Sequence, residues 1–202
     1  MCNLYRNSAS AQEVARLFGA APPAPSNAPP LVYPGRPGFV AAGGVLQSMV
    51  WGFPKALISK KTGKPLKPRP VNNARCEHLM NPRRMWHDSF VARRCLIPVS
   101  AFAEAEGEAG SKTRTWISLP EQPVFAIAGV WRETDEWGRA YSMVMTDVCL
   151  QLAGVHDRMP VILQREDWSR WSDAPPEEAR ALCVPYAGSL TVDRTDEPWF
   201  RG

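Results

Sequence analysis

Twenty prolines in 202 residues set the first limit on what this chain can fold into. Each fixes φ near about −65° and removes a backbone donor, so it suits neither a helix interior nor a central strand. Seven of them fall between Pro22 and Pro37. Residues 21–38 therefore read as an extended, ordered surface segment. The segment is not a domain linker, because strand-like sequence resumes at Phe39. Residues 2–8, 45–53, 95–104, 115–119, 123–132, 140–147, 159–163 and 187–193 are short apolar runs bounded by turn residues, and read as strands. The run 45–53 ends in a Trp51-Gly52 turn, and a basic, Pro-interrupted loop, 54–70, follows. Helical signals are fewer. Ser10 and Glu13 form a capping box before Val14, Leu17 and Phe18, and Gly19 closes that helix. Part of 72–91, broken near Asn81-Pro82, together with 165–172 and 175–183, completes the helical set. The expected fold is α+β: one strand-rich domain over 1–202, with a curved, barrel-like antiparallel sheet and a few peripheral helices.

Hydrophobic residues make up 45% of the chain and eight are Trp, enough for a real core. No run of about 18 apolar residues is present, which excludes a transmembrane helix. No basic, then apolar, leader opens the chain, so the expected compartment is the cytoplasm, in association with the nucleoid. Five cysteines without a CxxC pair read as reduced thiols. Cys95, Cys149 and Cys183 sit in apolar company, as small core residues do. Cys76, His78, His87 and Cys95 have irregular spacing for zinc, so neither a metal nor an organic cofactor is expected. Net charge is only +4, but eleven Lys or Arg lie between Lys55 and Arg94, against two acids, Glu77 and Asp88. Such polarity can present one basic face to a polyanion, although a solvated loop rich in lysine has the same composition.

Four positions carry candidate chemistry. Small second residues permit removal of Met1, which would leave Cys2 with a free α-amine beside its thiol. An α-amine has a pKa near about 8, against about 10.4 for Lys, so far more of it is unprotonated at neutral pH. It can attack an aldehyde to form a Schiff base, and the thiol can then close a five-membered thiazolidine. Asn73, beside Arg75, can hold a phosphate or sugar hydroxyl, or can simply cap a helix. Glu104 ends an apolar run, where a carboxyl can have a raised pKa and transfer protons, or can face solvent on an edge strand. His156, with Asp157 and Arg158, stands at the mouth of a strand as a proton shuttle or as part of a plain surface turn.

In order along the chain, Met1-Cys2, Trp51-Gly52, Asn73-Ala74-Arg75-x-Glu77, Arg94-Cys95-Leu96-Ile97-Pro98, Phe102-x-Glu104, Ala128-Gly129-Val130-Trp131 and the run from His156 to Leu163 resemble the SOS response-associated peptidase family. The resemblance extends from residue 1 to about 170. It implies covalent capture of abasic sites in single-stranded DNA through a Cys2 thiazolidine, by a monomer. Asn73 would position Cys2 and the sugar, Glu104 would transfer protons, and His156 would bind or protonate the sugar hydroxyl. Arg75 and Arg158 would contact phosphates, and Trp51 would line the DNA path. The family name reflects an autoproteolytic activity that exposes the cysteine. A lyase side reaction is also implied, since an imine at the abasic site acidifies the adjacent sugar proton.

The chain departs from the family pattern at Asn3-Leu4, where Gly-Arg is usual, so Arg6 would supply the missing phosphate contact. Arg84, in the basic span, joins the DNA-binding candidates. Ala103 and Ala105 flank Glu104 where aromatic residues are usual. Two other readings use the same residues. Cys2 could be the N-terminal nucleophile of a peptidase, with His156 as base. Alternatively, the basic span with Trp51 and Trp86 could bind single-stranded DNA without chemistry.

Overall fold

The computed structural model describes residues 2–24 and 28–199. Fifteen strands run in the order β1 (Leu4–Arg6), β2 (Leu31–Val32), β3 (Pro37–Ala42), β4 (Val45–Trp51), β5 (Phe53–Ile58), β6 (Pro65–Val71), β7 (Asn73–Arg75), β8 (Arg94–Val99), β9 (Ala101–Glu106), β10 (Thr113–Ser118), β11 (Phe125–Thr134), β12 (Gly138–Asp147), β13 (Arg158–Pro160), β14 (Ile162–Leu163) and β15 (Thr191–Pro198). Four short helices accompany them: α1 (Ala11–Leu17), α2 (His87–Ala92), α3 (Trp168–Asp173) and α4 (Pro176–Ala181).

Five strands close on themselves. The order β12-β4-β3-β8-β11 returns to β12 through a β11–β12 pairing, and β7, β13 and β14 pair onto this barrel. A second sheet, β15-β10-β9-β1-β2, packs beside it. The expected strand-rich, barrel-like α+β architecture is therefore what the chain forms. The pairing is not wholly antiparallel, however, since β12 runs parallel to both β4 and β7.

Alternation along β8 shows how the core is divided. Cys95, Ile97 and Val99 join a cluster with Cys2, Tyr5, Phe102 and Ile117, between the barrel and the second sheet. Leu96 faces the other way, into a cluster with Val14 of α1, Phe90 of α2 and Trp171 of α3. Successive strand residues point to opposite faces, so a strand buried on both sides reads as one apolar run.

That uniformity explains one correction. Residues 95–104 are not one strand but two, β8 in the barrel and β9 in the second sheet. The crossing is at Ser100, whose N–H donates to the Arg6 carbonyl at 2.8 Å and whose Oγ accepts from Ser8 N–H at 3.0 Å. Similarly, the 159–163 run divides into β13 and β14, and 187–193 becomes β15, which starts at Thr191.

The basic loop expected at 54–70 is instead a hairpin, β5 with β6, paired from Phe53↔Val71 to Ile58↔Pro65 with a register shift. Its prolines are tolerated because this two-stranded sheet has only edge strands. Residues 72–75, expected to start a helical region, are mostly strand β7, and a 3-10 turn at Cys76–His78 follows. The expected capping box is present at α1: Ser10 Oγ accepts from Glu13 N–H, and Glu13 accepts from Ser10 N–H. In the Pro-rich stretch β2 is only two residues long and β3 begins at Pro37, two residues before the expected start; residues 25–27 lie outside the described residues. Gly52 has φ +114, and a Cβ there would lie 2.6 Å from Pro70 Cβ, so the Trp-Gly turn accepts only glycine without strain. Among the described residues no helix is long and apolar enough to cross a membrane.

Tyr5 of β1 and Tyr141 of β12 share a buried hydroxyl–hydroxyl hydrogen bond that joins the second sheet to the barrel. Gly38 leaves room for it, since a Cβ at that position would overlap both hydroxyls. Gly38→Ala should cost about 1–3 kcal/mol through overpacking. Urea melts with the m-value unchanged would measure it, and an unaltered midpoint would mean the tyrosine pair is loosely held.

Candidate active site

Strand β1 sits in the middle of the second sheet, between β9 and β2. Its register with β9 is Leu4↔Ala103 and Tyr5↔Phe102, and one more step sets Asn3 level with Glu104. This pairing draws the start of the described chain inward, and Cys2 is fully buried. The Cys2 thiol donates to the Leu4 carbonyl at 3.4 Å.

A neighbouring strand fixes the Cys2 backbone. The Asn73 amide donates from Nδ2 to the Cys2 carbonyl at 2.8 Å, and Asn72 Nδ2 donates to the same oxygen at 3.0 Å. Asn72 Nδ2 also reaches Asn3 Oδ1 at 3.1 Å. β7 can supply these amides because it lies parallel to β12, in the register Asn73↔Met143. The Asn73 side chain is 9% exposed, and its Oδ1 accepts no hydrogen bond among the described residues. A buried acceptor in that state costs about 1–3 kcal/mol, which a donor entering the site would offset.

Glu104 is 4% exposed, and burial pushes its carboxyl up from 4.5 to about 7. The Cys2 thiol is also pushed up, first by burial and then by the negative charge of Glu104, so it remains protonated at neutral pH. Asp157 acts on Glu104 in the same upward direction, so the His156–Asp157 turn lies within electrostatic reach of Glu104. His156 is half-buried. Its Nδ1 lies 2.6 Å from Asp157 Oδ1 and accepts from Arg158 N–H at 3.0 Å. One nitrogen cannot accept from Arg158 and donate to Asp157 together. Burial holds the His156 pKa below its ordinary value.

Cys2, Asn73, Glu104 and the His156 turn thus converge, although they lie far apart in sequence. The expected DNA-binding residues are placed less uniformly. Trp51 is fully buried, ring edge to Tyr5 with centroids 5.0 Å apart, and its Nε1 donates to the Asn72 carbonyl at 3.1 Å. It therefore supports the floor of the site instead of lining a DNA path. Arg158 donates to both Glu77 carboxylate oxygens, at 2.9 and 3.1 Å, and lies 3.2 Å from Asp147. Arg6 is half-buried, with its guanidinium 4.5 Å from the Trp116 ring centroid. Arg75 and Arg84 are exposed. The structure brings in Asn72, at the head of the candidate segment 72–77, as a second amide on the Cys2 carbonyl, and Glu77 as the anchor of Arg158. A cavity of about 220 Å³ opens beside Asn3, between Tyr33, Pro34 and Trp199. A larger one of about 490 Å³, under α1 and α3, is lined by none of these site residues. No cluster of three or more metal-ligating side chains occurs among the described residues.

A family model described as SOS response associated peptidase (SRAP) matches residues 1–196. The abasic site processing protein YoqW of Bacillus subtilis (strain 168) is 30% identical over 122 residues, which is 56% of this chain and 54% of that protein. YoaM of the same organism, also called an abasic site processing protein, is 28% identical over 122 residues, 56% of this chain and 53% of its own. The matched region thus spans about half the length of these curated relatives. Among solved structures, a Bacteroides thetaiotaomicron protein superposes with TM-score 0.77 at 20% identity, over 96% of this chain and 91% of the other. A Bordetella bronchiseptica protein superposes with TM-score 0.76 at 23% identity, over 96% and 99%. At those identities the likeness is one of fold.

The raised Glu104 pKa has a consequence for stability. Between pH 4.5 and about 7 the unfolded chain releases a proton that the folded chain keeps, so the stability contributed by Glu104 falls as pH rises through that window. Glu104→Gln removes the effect. The melting temperature of the variant relative to the native chain should rise from pH 4.5 to 7 and then level off. A difference that stays constant with pH would mean Glu104 ionises normally.

Proposed function

The chain belongs to the SOS response associated peptidase family, and from that premise we propose that it processes abasic sites in single-stranded DNA by bonding to them through Cys2. The observation that carries this reading is the convergence on one buried residue: two amides fix the Cys2 carbonyl, and the Glu104 carboxyl acts on its thiol. The reading extends to this chain an activity carried in the names of its relatives.

The mechanism follows from the groups present. With Met1 removed, the Cys2 nitrogen becomes an α-amine with a pKa near about 8. Its lone pair attacks the aldehyde carbon of the ring-opened sugar. Glu104, poised near pH 7, protonates the departing hydroxyl, and water leaves as the imine forms. The protonated thiol is no competitor for the first attack. It then adds to the carbon of the protonated imine, its proton passes to the Glu104 carboxylate, and the C=N electron pair returns to nitrogen to complete the thiazolidine. Asn73 holds the Cys2 backbone still while this happens, and its Oδ1 can accept from the new amine. The His156 ring, beside Glu104, is suited to bind a sugar hydroxyl. Ring closure removes the imine that would otherwise allow β-elimination and strand cleavage.

The basic hairpin supplies the polyanion surface. Over Phe53–Val71 it carries Lys55, Lys60, Lys61, Lys64, Lys67 and Arg69 and no acid, and all six side chains are exposed. We assign it and Arg75 and Arg84 to the phosphates. Binding without chemistry, using Trp51 and Trp86, is disfavoured because those rings are only 0% and 6% exposed. Peptidase action is disfavoured because a thiol held protonated by burial and a nearby carboxylate is a poor nucleophile for an amide.

Neutralising Lys60, Lys61 and Lys64 together to Gln should weaken binding to any single-stranded sequence. The salt slope should shrink by about 0.7 for each phosphate that is no longer neutralised. An unchanged slope in a fluorescence titration would remove the hairpin from the interface.

The direct test is a denaturing gel of the protein with a single-stranded oligonucleotide bearing one abasic site. A shifted band that needs the lesion and vanishes in Cys2→Ala is expected, while Glu104→Gln should form it about a hundredfold or more slowly. With Met1 removal verified by mass, absence of the band would overturn the proposal.

A further inference from the structure

Two cysteines outside this chemistry lie near one another at the edge of the barrel. Cys76 follows β7 directly, and the β7–β12 register, which ends at Arg75↔Met145, sets Cys76 level with Thr146. Thr146 Oγ1 in turn donates to the Cys183 carbonyl at 3.2 Å, and so holds the residue that follows α4 in the same place. The two thiols lie close enough to shift each other's ionisation, and both are reduced. Each is 6% exposed, in the same core cluster.

The pair is chemically asymmetric. Cys76 is drawn down to about 7, first by the neighbouring Cys183 thiol and, against burial, by the charge of Arg180. Cys183 is pushed up by the same partner. Cys2 and Cys95, fully buried, are both pushed up by burial. A thiolate beside an Arg is the state in which cysteine reacts, and a second thiol in contact is what converts oxidation into a bridge.

We propose that Cys76 and Cys183 form a redox-active dithiol that peroxides oxidise to an intramolecular disulfide and dithiol reductants reopen. The Cys76 thiolate attacks one peroxide oxygen, the O–O bond breaks, and hydroxide leaves. Cys76 is then a sulfenic acid. The Cys183 sulfur attacks it, the S–S bond forms, and the S–O bond breaks. The proton from Cys183 leaves with that oxygen as water. In sum, two thiols lose two electrons and one hydrogen peroxide becomes two waters. The bridge would tether the end of β7, three residues from Asn73, to the chain that follows α4. It would also remove the Cys76 thiol from its 3.6 Å hydrogen bond to Glu77, the carboxylate that holds Arg158.

Trypsin places each of the five cysteines in a different peptide, so the bridge is readable in the native chain. After exposure to hydrogen peroxide and alkylation of free thiols, non-reducing mass spectrometry should find the peptide Cys76–Arg83 joined to Ala181–Arg194, with two hydrogens lost. Dithiothreitol should separate the pair. In C183S, dimedone should trap a sulfenic acid at Cys76, whereas C76S should leave Cys183 alkylated. The proposal is overturned if the native chain keeps both peptides alkylated at peroxide levels that oxidise its other cysteines, or if Cys76 goes on to sulfinic acid without bridging.

Discussion

The hydrogen bonds from Asn72 and Asn73 to the Cys2 carbonyl are the tie on which the site depends. They join the first strand of the second sheet to a short parallel strand of the barrel, between residues some 70 positions apart. Without them Cys2 would lie at the frayed end of a three-residue strand. With them its thiol is buried in the main core cluster, where Tyr5 and Tyr141 also join the two sheets. Burial then sets the chemistry. It raises Glu104 into the range where a carboxyl can donate and accept a proton at neutral pH, and it keeps the neighbouring thiol protonated.

The same elements explain why charge is divided as it is. Acids near the site are engaged: Glu77 and Asp147 hold Arg158, and Asp157 lies against His156. The hairpin that leaves the barrel after Gly52 carries six Lys or Arg and no acid. A glycine turn against Pro70 followed by two edge strands lets a Pro-rich, Lys-rich sequence be ordered without entering the core. The basic hairpin and the Asn72-Asn73 amides that hold the Cys2 carbonyl are thus consecutive segments of chain.

Burial also distinguishes the cysteines from one another. Cys95 is sealed in the barrel, and Gly129 is required beside it, since a Cβ there would come within 2.8 Å of its sulfur. Cys76 and Cys183 lie at the barrel's edge, where Arg180 and a second thiol change what the sulfur can do. Apolar company assigns Cys95, Cys149 and Cys183 alike as small core residues, and for Cys183 that assignment misses its neighbour.

Much of this was legible in the residues. Period-two apolar runs, the Ser10–Glu13 capping box and the Trp51-Gly52 turn are local signals, because strand alternation, helix capping and φ > 0 depend on neighbours in sequence. The collinear motifs from Cys2 to the His156 run likewise marked the family, and with it four of the residues that converge. Tertiary structure decided the rest. Whether 95–104 is one strand or two depends on which sheet covers each half, and a run buried on both faces carries no mark of the change at Ser100. That 54–70 pairs with itself as a hairpin is a matter of long-range register, which proline content obscures. The family resemblance assigns Trp51 and Arg158 to the DNA. Their actual neighbours, Tyr5 and Asn72 for one and Glu77 and Asp147 for the other, come from distant segments that only the closed barrel brings within reach.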